Sequence, residues 1–402
     1  MAIPEMSDAL KALRISDPEP ESLMFCPTGE RAWLRESGIP RYLFRVFTPT
    51  SRGTTDQSWT RSMDATDGIR KVDIFARGNN EQVASMLNRH LRWQEGDEDN
   101  LVSWTSSLLF ALVYVFHLHA NYRDQSAFDA ISLCIIDTQK FPKAVFLRDV
   151  DLIQVYSPFD EALQNIKVLR SRGDWYFGEY LSQGALKIEN KCRIVSAQAM
   201  IDMGLYDLQH EFETFSRWKK GRSPPWARQV VNLREVVYQI EGSGESDDRI
   251  CIAIRISQLF GPCWALPMAA NLVALLPPSE DEIAIIRAFR VIFFTDDDRD
   301  NCSPLKTKVL AYGLPEVEQF SKIMRIVYKD FCVKKLSSFV GEAKIHLRNA
   351  VVFAIRLEDQ DQALLDSINE ALKGRLHMEA GVNQQLRDML AATSGFHDPT
   401  PN

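Results

Sequence analysis

The chain lacks the signatures that would declare its chemistry outright. It has no GxxxxGKS/T, no GxGxxG and no HExxH, so an ATP loop, a Rossmann fingerprint and a zinc-protease helix have no support. It has no CxxC pair. Its seven cysteines are scattered and odd in number, which argues against a disulfide framework and for a reducing compartment. Cys134 and Cys192 lie in apolar runs that read as strands, so both are expected to be buried thiols. Positive charge is outnumbered: 47 Lys and Arg stand against 54 Asp and Glu for a net charge of −7, and the basic clusters Lys219-Lys220-Gly221-Arg222 and Lys334-Lys335 are short. No nucleic-acid partner is expected without a basic stripe. The most apolar late stretch, residues 263–276, holds Pro267 and Asn271 and falls short of the ~20 residues of a membrane span. It reads as a core helix, with no membrane partner. Met1-Ala2-Ile3-Pro4-Glu5 lacks a basic stretch followed by an apolar run, so no signal peptide is read and a cytoplasmic location is expected.

What is present is ordinary globular composition, 45% apolar and 25% charged over 402 residues. Residues 1–38 read as a lead-in with one short helix near residues 7–13. Arg41-Tyr42-Leu43-Phe44-Arg45-Val46-Phe47, ended by Thr48-Pro49, reads as a strand. Residues 48–72 read as a loop. Val83, Leu87 and Leu91 mark a helix over residues 80–93, broken by the acidic run 95–100. Residues 106–119 are almost wholly apolar and suit a buried helix. Residues 131–137 read as a buried strand, 145–147 as an extended piece, 149–155 as helix, and 185–188 with 191–197 as strands. Strands interleaved irregularly with helices imply α+β. Beyond residue 200 helical spacing dominates, with 316–333 and 338–357 read as separate helices, although Ile250, Ile252, Ile254 and Ile256 alternate as in a strand. A boundary is placed near residues 221–225. This gives a lead-in (1–38), a first domain (39–220), a mainly helical domain of unknown role (225–393) and a frayed tail (394–402).

Three short segments carry chemistry: Leu43-Phe44-Arg45-Val46, Val102-Ser103-Trp104-Thr105-Ser106, and Gly178-Glu179-Tyr180-Leu181-Ser182-Gln183-Gly184. They supply an arginine on a strand, a hydroxyl cluster, and a carboxylate read as lying just before a glycine turn. Cleaving the nicotinamide–ribose bond of NAD needs such a set. Positive charge develops on the ribose, as in glycoside hydrolysis, so a carboxylate must face the sugar. A planar guanidinium suits the diphosphate. Each residue alone also has an ordinary reading: Arg45 as a strand cation paired to a carboxylate, Ser103 as a helix N-cap, Glu179 as a surface carboxylate. Asp160 and Glu161 compete with Glu179, which is favoured by its glycine and strand context. Trp175 or Tyr176 would stack on nicotinamide, or simply pack. His117 and His119 point to different faces of a helix and cannot chelate one metal there. Asp296-Asp297-Asp298-Arg299-Asp300 lacks the glycine and glutamate of a calcium loop. No metal is expected.

In order and context the three segments resemble the ADP-ribosyltransferase fold of the cholera toxin and heat-labile enterotoxin class, over roughly residues 40–200. Leu43-Phe44-Arg45 is similar to that family's first strand, and Val102-Ser103-Trp104-Thr105 to its Ser-Thr-Ser strand. Residues 131–137 resemble its next core strand. Val150-Asp151-Leu152 with Tyr156-Ser157-Pro158 resembles the segment before its catalytic turn, and Glu179 to Gly184 that turn. The resemblance implies split mixed or antiparallel sheets with helices. It implies NAD as substrate, anchored by Arg45, with Ser103 and Thr105 shaping the ribose site, and Glu179 and Ser103 catalytic; of the two adjacent aromatics, Tyr176 is the one placed with the cofactor. The activity implied is mono-ADP-ribosyl transfer to an unidentified protein or small-molecule acceptor, or NAD hydrolysis. The alternative is a catalytically inactive binding module on the same fold. Arginine-modifying members carry a second Glu two residues before the catalytic one. Phe177 stands there, which moves the reading away from arginine as acceptor. The chain as a whole also resembles a group of uncharacterised fungal proteins, which implies a source but no activity.

Overall fold

A computed structural model describes residues 21–68, 72–94, 96, 98–238, 246–278, 282–293, 312–356, 366–367, 369–381 and 384. The lead-in helix near residues 7–13, the acidic run 296–300 and the tail 394–402 lie outside them. The chain forms two compact units, Met1–Tyr328 and Lys329–Asn402, and the seam expected near residues 221–225 falls inside the first.

The first unit is α+β. Its nine described strands form one sheet curled into a half-barrel. They are β1 (Ser22–Leu23), β2 (Tyr42–Phe47), β3 (Thr54–Thr55), β4 (Trp59–Arg61), β5 (Leu101–Thr105), β6 (Ser132–Asp137), β7 (Leu147–Arg148), β8 (Glu179–Lys187) and β9 (Cys192–Ser196). The order is β3-β4-β8-β5-β2-β6-β9, with β1 and β7 also on β8, and every pairing is antiparallel. β2 runs in full register with β6 from Tyr42↔Asp137 to Phe47↔Ser132, and β5 with β8 from Leu101↔Gln183 to Thr105↔Glu179. Between them β2 meets β5 at a single position, Phe44↔Thr105. The sheet therefore all but divides in two at this seam.

Helix α1 (Asn80–Leu91), capped by Asn79, lays Val83, Leu87 and Leu91 into a core shared with Leu101 of β5, Leu181 of β8, α3 (Asp149–Tyr156) and α4 (Glu161–Arg170). Helix α2 (Leu108–Ala120) is apolar all round and accordingly buried almost throughout. Its N-cap is Ser107, whose Oγ accepts from the Phe110 amide at 3.0 Å. α5 (Trp226–Val237) packs on it, with Trp226 5.0 Å from the rings of both Phe110 and Tyr114. α6 (Ser246–Ser257), α7 (Pro262–Val273), α8 (Glu282–Phe293) and the start of α9 (Pro315–Arg356), with the short helices Ala197–Asp202, Leu205–Leu208 and His210–Ser216, make up the rest of the described helical part.

Four expectations need correction. Residues 48–72 hold β3, β4 and the one-turn helix Met63–Thr66, because β3 is a two-residue edge strand on β4, and β4 finds its other partner far along the chain, on β8. The alternating isoleucines lie on helix α6, not a strand. Ile250, Ala253, Ile254 and Ile256 are all buried, since that helix packs against both α7 and α8 and an apolar residue suits several of its faces. Residues 316–333 and 338–357, read as separate helices, fall largely on the single helix α9. Gly184 makes no turn. It lies inside β8 with φ +63°, where the pairing with β1 slips register, a bulge that glycine relieves.

The glycine that matters to the site is Gly178, at φ +66° immediately before β8. A Cβ there would stand 2.3 Å from Ser106 Oγ and 2.8 Å from Leu314 Cδ1. Gly178→Ala should cost about 2 kcal/mol or more, read as a lowered thermal midpoint; an unchanged midpoint would refute the packing described.

Candidate functional site

The β2/β5 seam opens into a pocket of about 310 Å³. Phe44, Arg45 and Val46 come from β2, Leu101 to Thr105 from β5, and Glu179 from the start of β8. Strand alternation places Ser103 and Thr105 on one face, and the register sets Thr105 opposite Glu179. These three side chains thus share the face against which α1 packs.

Arg45 reaches across the seam. Its Nη1 donates to the Ser103 carbonyl at 3.1 Å and its Nε to Thr55 Oγ1 at 3.1 Å. No carboxylate of the described residues pairs with it, and Nη2 has no hydrogen-bond partner among them. Burial pulls its pKa below the ordinary arginine value, and the nearby Tyr114, Cys134 and Asp99 oppose the pull. A guanidinium so placed remains cationic and stands ready for an anion.

Glu179 is 2% exposed and therefore not a surface carboxylate. Its Oε2 accepts from Arg170 Nη2, while Oε1 accepts no hydrogen bond from the described residues. Arg170 also faces Asp149, with Nε 3.4 Å from Oδ2. One buried cation thus stands between two buried carboxylates. Asp149 is pushed up to about 7, first by burial, with Glu179 adding to the rise and Arg170 opposing it. With Asp149 protonated the cluster is neutral, which suits a dry interior.

Ser103 is a strand residue and not the N-cap, which is Ser107. Its Oγ lies 2.8 Å from His90 Nε2, and His90 Nδ1 lies 2.8 Å from Asp99 Oδ2. The Leu101 amide donates to Asp99 Oδ1 at 3.1 Å. Burial raises the Asp99 pKa, but His90 and the Leu101 amide outweigh it and hold the carboxyl below its usual value. An ionised Asp99 accepts only, so Nδ1 carries a proton, and in the neutral imidazole Nε2 is then the nitrogen that accepts from the serine hydroxyl.

Thr105 is buried and fully engaged: Oγ1 donates to the Phe177 carbonyl at 2.7 Å and accepts from the Ser107 amide at 3.0 Å. It shapes the pocket wall. Tyr176 does not line the pocket. It packs against Leu314 and Val317, because the chain enters β8 through Gly178 with residues 176 and 177 turned into the interior. The aromatic surface of the pocket comes instead from Trp93, 44% exposed, stacked 6.2 Å from Tyr114. Phe177 is buried and stacked on Phe110 at 4.9 Å.

Residues 38–190 match a family described as a domain of unknown function (DUF7587). No curated protein and no solved structure matches the chain. The matched segment contains Arg45, His90, Asp99, Ser103, Arg170 and Glu179, and so the whole set just described. Of the two rival carboxylates in that segment, Asp160 is the N-cap of α4, accepting from the Leu163 amide at 2.8 Å, and Glu161 is exposed. Among the described residues no group of three His, Cys, Asp or Glu could hold a metal ion, and no helix is long and apolar enough to cross a membrane. The six described cysteines are free thiols, Cys134 buried and Cys192 half-buried. His117 is pushed down to about 4 by burial and accepts at Nε2 from Asn121 at 2.9 Å.

Sequence reasoning missed His90, Asp99 and Arg170. His90 completes the stripe Val83, Met86, Leu87 on α1, a histidine on an apolar face. Asp99 is hidden in the acidic run 95–100, where nothing in the sequence sets it apart from its neighbours.

Proposed function

We propose that the pocket binds NAD and cleaves its nicotinamide–ribose bond, on an ADP-ribosyltransferase-like architecture whose two half-sheets part between β2 and β5. The observation that carries this reading is convergence. Arg45, Ser103 and Glu179, chosen from three distant segments, line one pocket, and the ordinary reading of each fails on its own surroundings. Arg45, which has no carboxylate partner among the described residues, meets the diphosphate. Glu179 keeps Oε1 for the ribose 2′-hydroxyl, and its buried charge stabilises the cation forming at C1′. The Trp93–Tyr114 stack offers a flat surface to one of the two ring systems. No carboxylate replaces Phe177, so the acceptor is water or a group that needs no carboxylate base at that point, and arginine is disfavoured.

Purified protein incubated with NAD, with and without cell lysate as a source of acceptors, should release nicotinamide. Arg45→Ala should raise KM for NAD by about 10- to 100-fold, the loss of one charge-assisted contact of about 1.5–3 kcal/mol. NAD binding without release would identify an inactive binding module, and neither binding nor release would end the NAD reading.

A further inference from the structure

The NAD reading leaves part of the pocket unexplained. Nicotinamide departs from the ribose without needing a base at Ser103, yet Ser103 is provided with one. We propose that this pocket also hydrolyses carboxylic esters through an acyl intermediate on Ser103, with His90 as general base and acid and Asp99 orienting it.

The case rests on geometry, since such a triad is recognised by the roles of its members and not by their order in the chain. His90 Nε2 is 2.8 Å from Ser103 Oγ, and its other nitrogen is 2.8 Å from Asp99. Both distances are within hydrogen-bond reach for proton transfer. Asp99 is itself fixed by the Leu101 amide, so the imidazole is held in one orientation. All three residues line the open pocket, where a merely structural Ser–His–Asp chain would be sealed in the core. Arg45 supplies the charge for the oxyanion. Its Nη1 is bonded to the carbonyl of the reacting serine itself, and Nη2 is left without a partner among the described residues.

In the first step Oγ bonds to the ester carbonyl carbon as its proton passes to His90 Nε2. The carbon–oxygen bond to the alcohol then breaks, and the alcohol leaves with the proton from His90. In the second step water attacks the acyl carbon, gives a proton to Nε2, and Oγ departs carrying that proton back. The products are one alcohol and one carboxylic acid, with no change of oxidation state. Pocket size and the Arg45 charge select a small ester bearing an anionic group.

The test is to treat the full chain with an alkyl fluorophosphonate and map the adduct by peptide mass spectrometry. A single adduct on Ser103 of the unaltered chain is expected, a readout that needs no variant to fold. His90→Asn should slow labelling by about 100-fold or more. The monoester 4-nitrophenyl succinate should turn over about 10-fold faster than 4-nitrophenyl acetate, the anion preference expected of one charge-assisted contact. No adduct on Ser103, or labelling of His90→Asn at the unaltered rate, would overturn the proposal. Nicotinamide is not part of these readouts, so the two activities fail or stand separately.

Discussion

Glu179→Gln should lower the rate of nicotinamide release by about 100- to 1,000-fold, with a smaller change in KM for NAD. The amide keeps the shape and one acceptor oxygen but not the charge that opposes the developing cation, and removing one such electrostatic partner costs that much. The substitution is well suited to the test because of what lies behind Glu179. Arg170 stands between Glu179 and Asp149, and the Asp149 carboxyl is pushed up to about 7, first by burial, with the Glu179 charge adding to the rise. With glutamine at 179 the repulsion disappears, so Asp149 ionises more readily and takes over as the partner of Arg170. The buried cation is not orphaned, and the variant should unfold within a few degrees of the unaltered protein. A folded Glu179→Gln protein that releases nicotinamide at the full rate would remove Glu179 from the site.

Much of this site could be read from local pattern. β2, α1 and α2 stand where aromatic content, four-residue spacing and continuous apolarity put them, since each records its own burial in its own residues. The pocket members already visible, Arg45, Ser103 and Glu179, sit on those elements or on strands beside them. What escaped is non-local. Gly184 suggested a turn after Glu179, but β1, from the other end of the domain, pairs there and carries β8 straight through. Arg170 closes α4, and the Asp160 that begins that helix was weighed as a catalytic acid when its task is to cap. Tyr176 looked available beside the site because sequence adjacency says nothing of direction, and the left-handed Gly178 between it and Glu179 sends the two side chains to different places. Asp99 shows the same limit from the opposite side, as one carboxylate in an acidic run acquires a partner that only the fold brings near.

The largest stability effect should come from Arg234→Ala, and its size follows from the state of Glu316. Arg234 on α5 donates from Nη2 to Glu316 Oε1 at 2.6 Å and from Nε to Oε2 at 3.1 Å, and from Nη1 to the Tyr176 carbonyl at 2.8 Å. Glu316, at the start of α9, also accepts from Ser107 Oγ at 2.5 Å. Both charged residues are buried, at 8% and 3% exposure. Removing the arginine leaves a carboxylate in the interior with a single hydroxyl for company, a loss of about 3–5 kcal/mol for a broken buried pair. Urea unfolding of the full chain should therefore show a markedly lower midpoint. Arg234→Lys should recover only part of it, since a point charge cannot reproduce the two-pronged contact. Removing both charges, in Arg234→Met with Glu316→Leu, should cost less than Arg234→Ala alone, because no unpaired ion remains. If the single and double variants lost equal stability, the pair would be contributing packing and not charge. The same bonds reach the edge of the candidate site: Ser107 caps α2, and the Tyr176 carbonyl lies three residues before Glu179. Arg234→Ala should thus also slow nicotinamide release while the protein is still folded, which ties the helical part of the first unit to the position of Glu179.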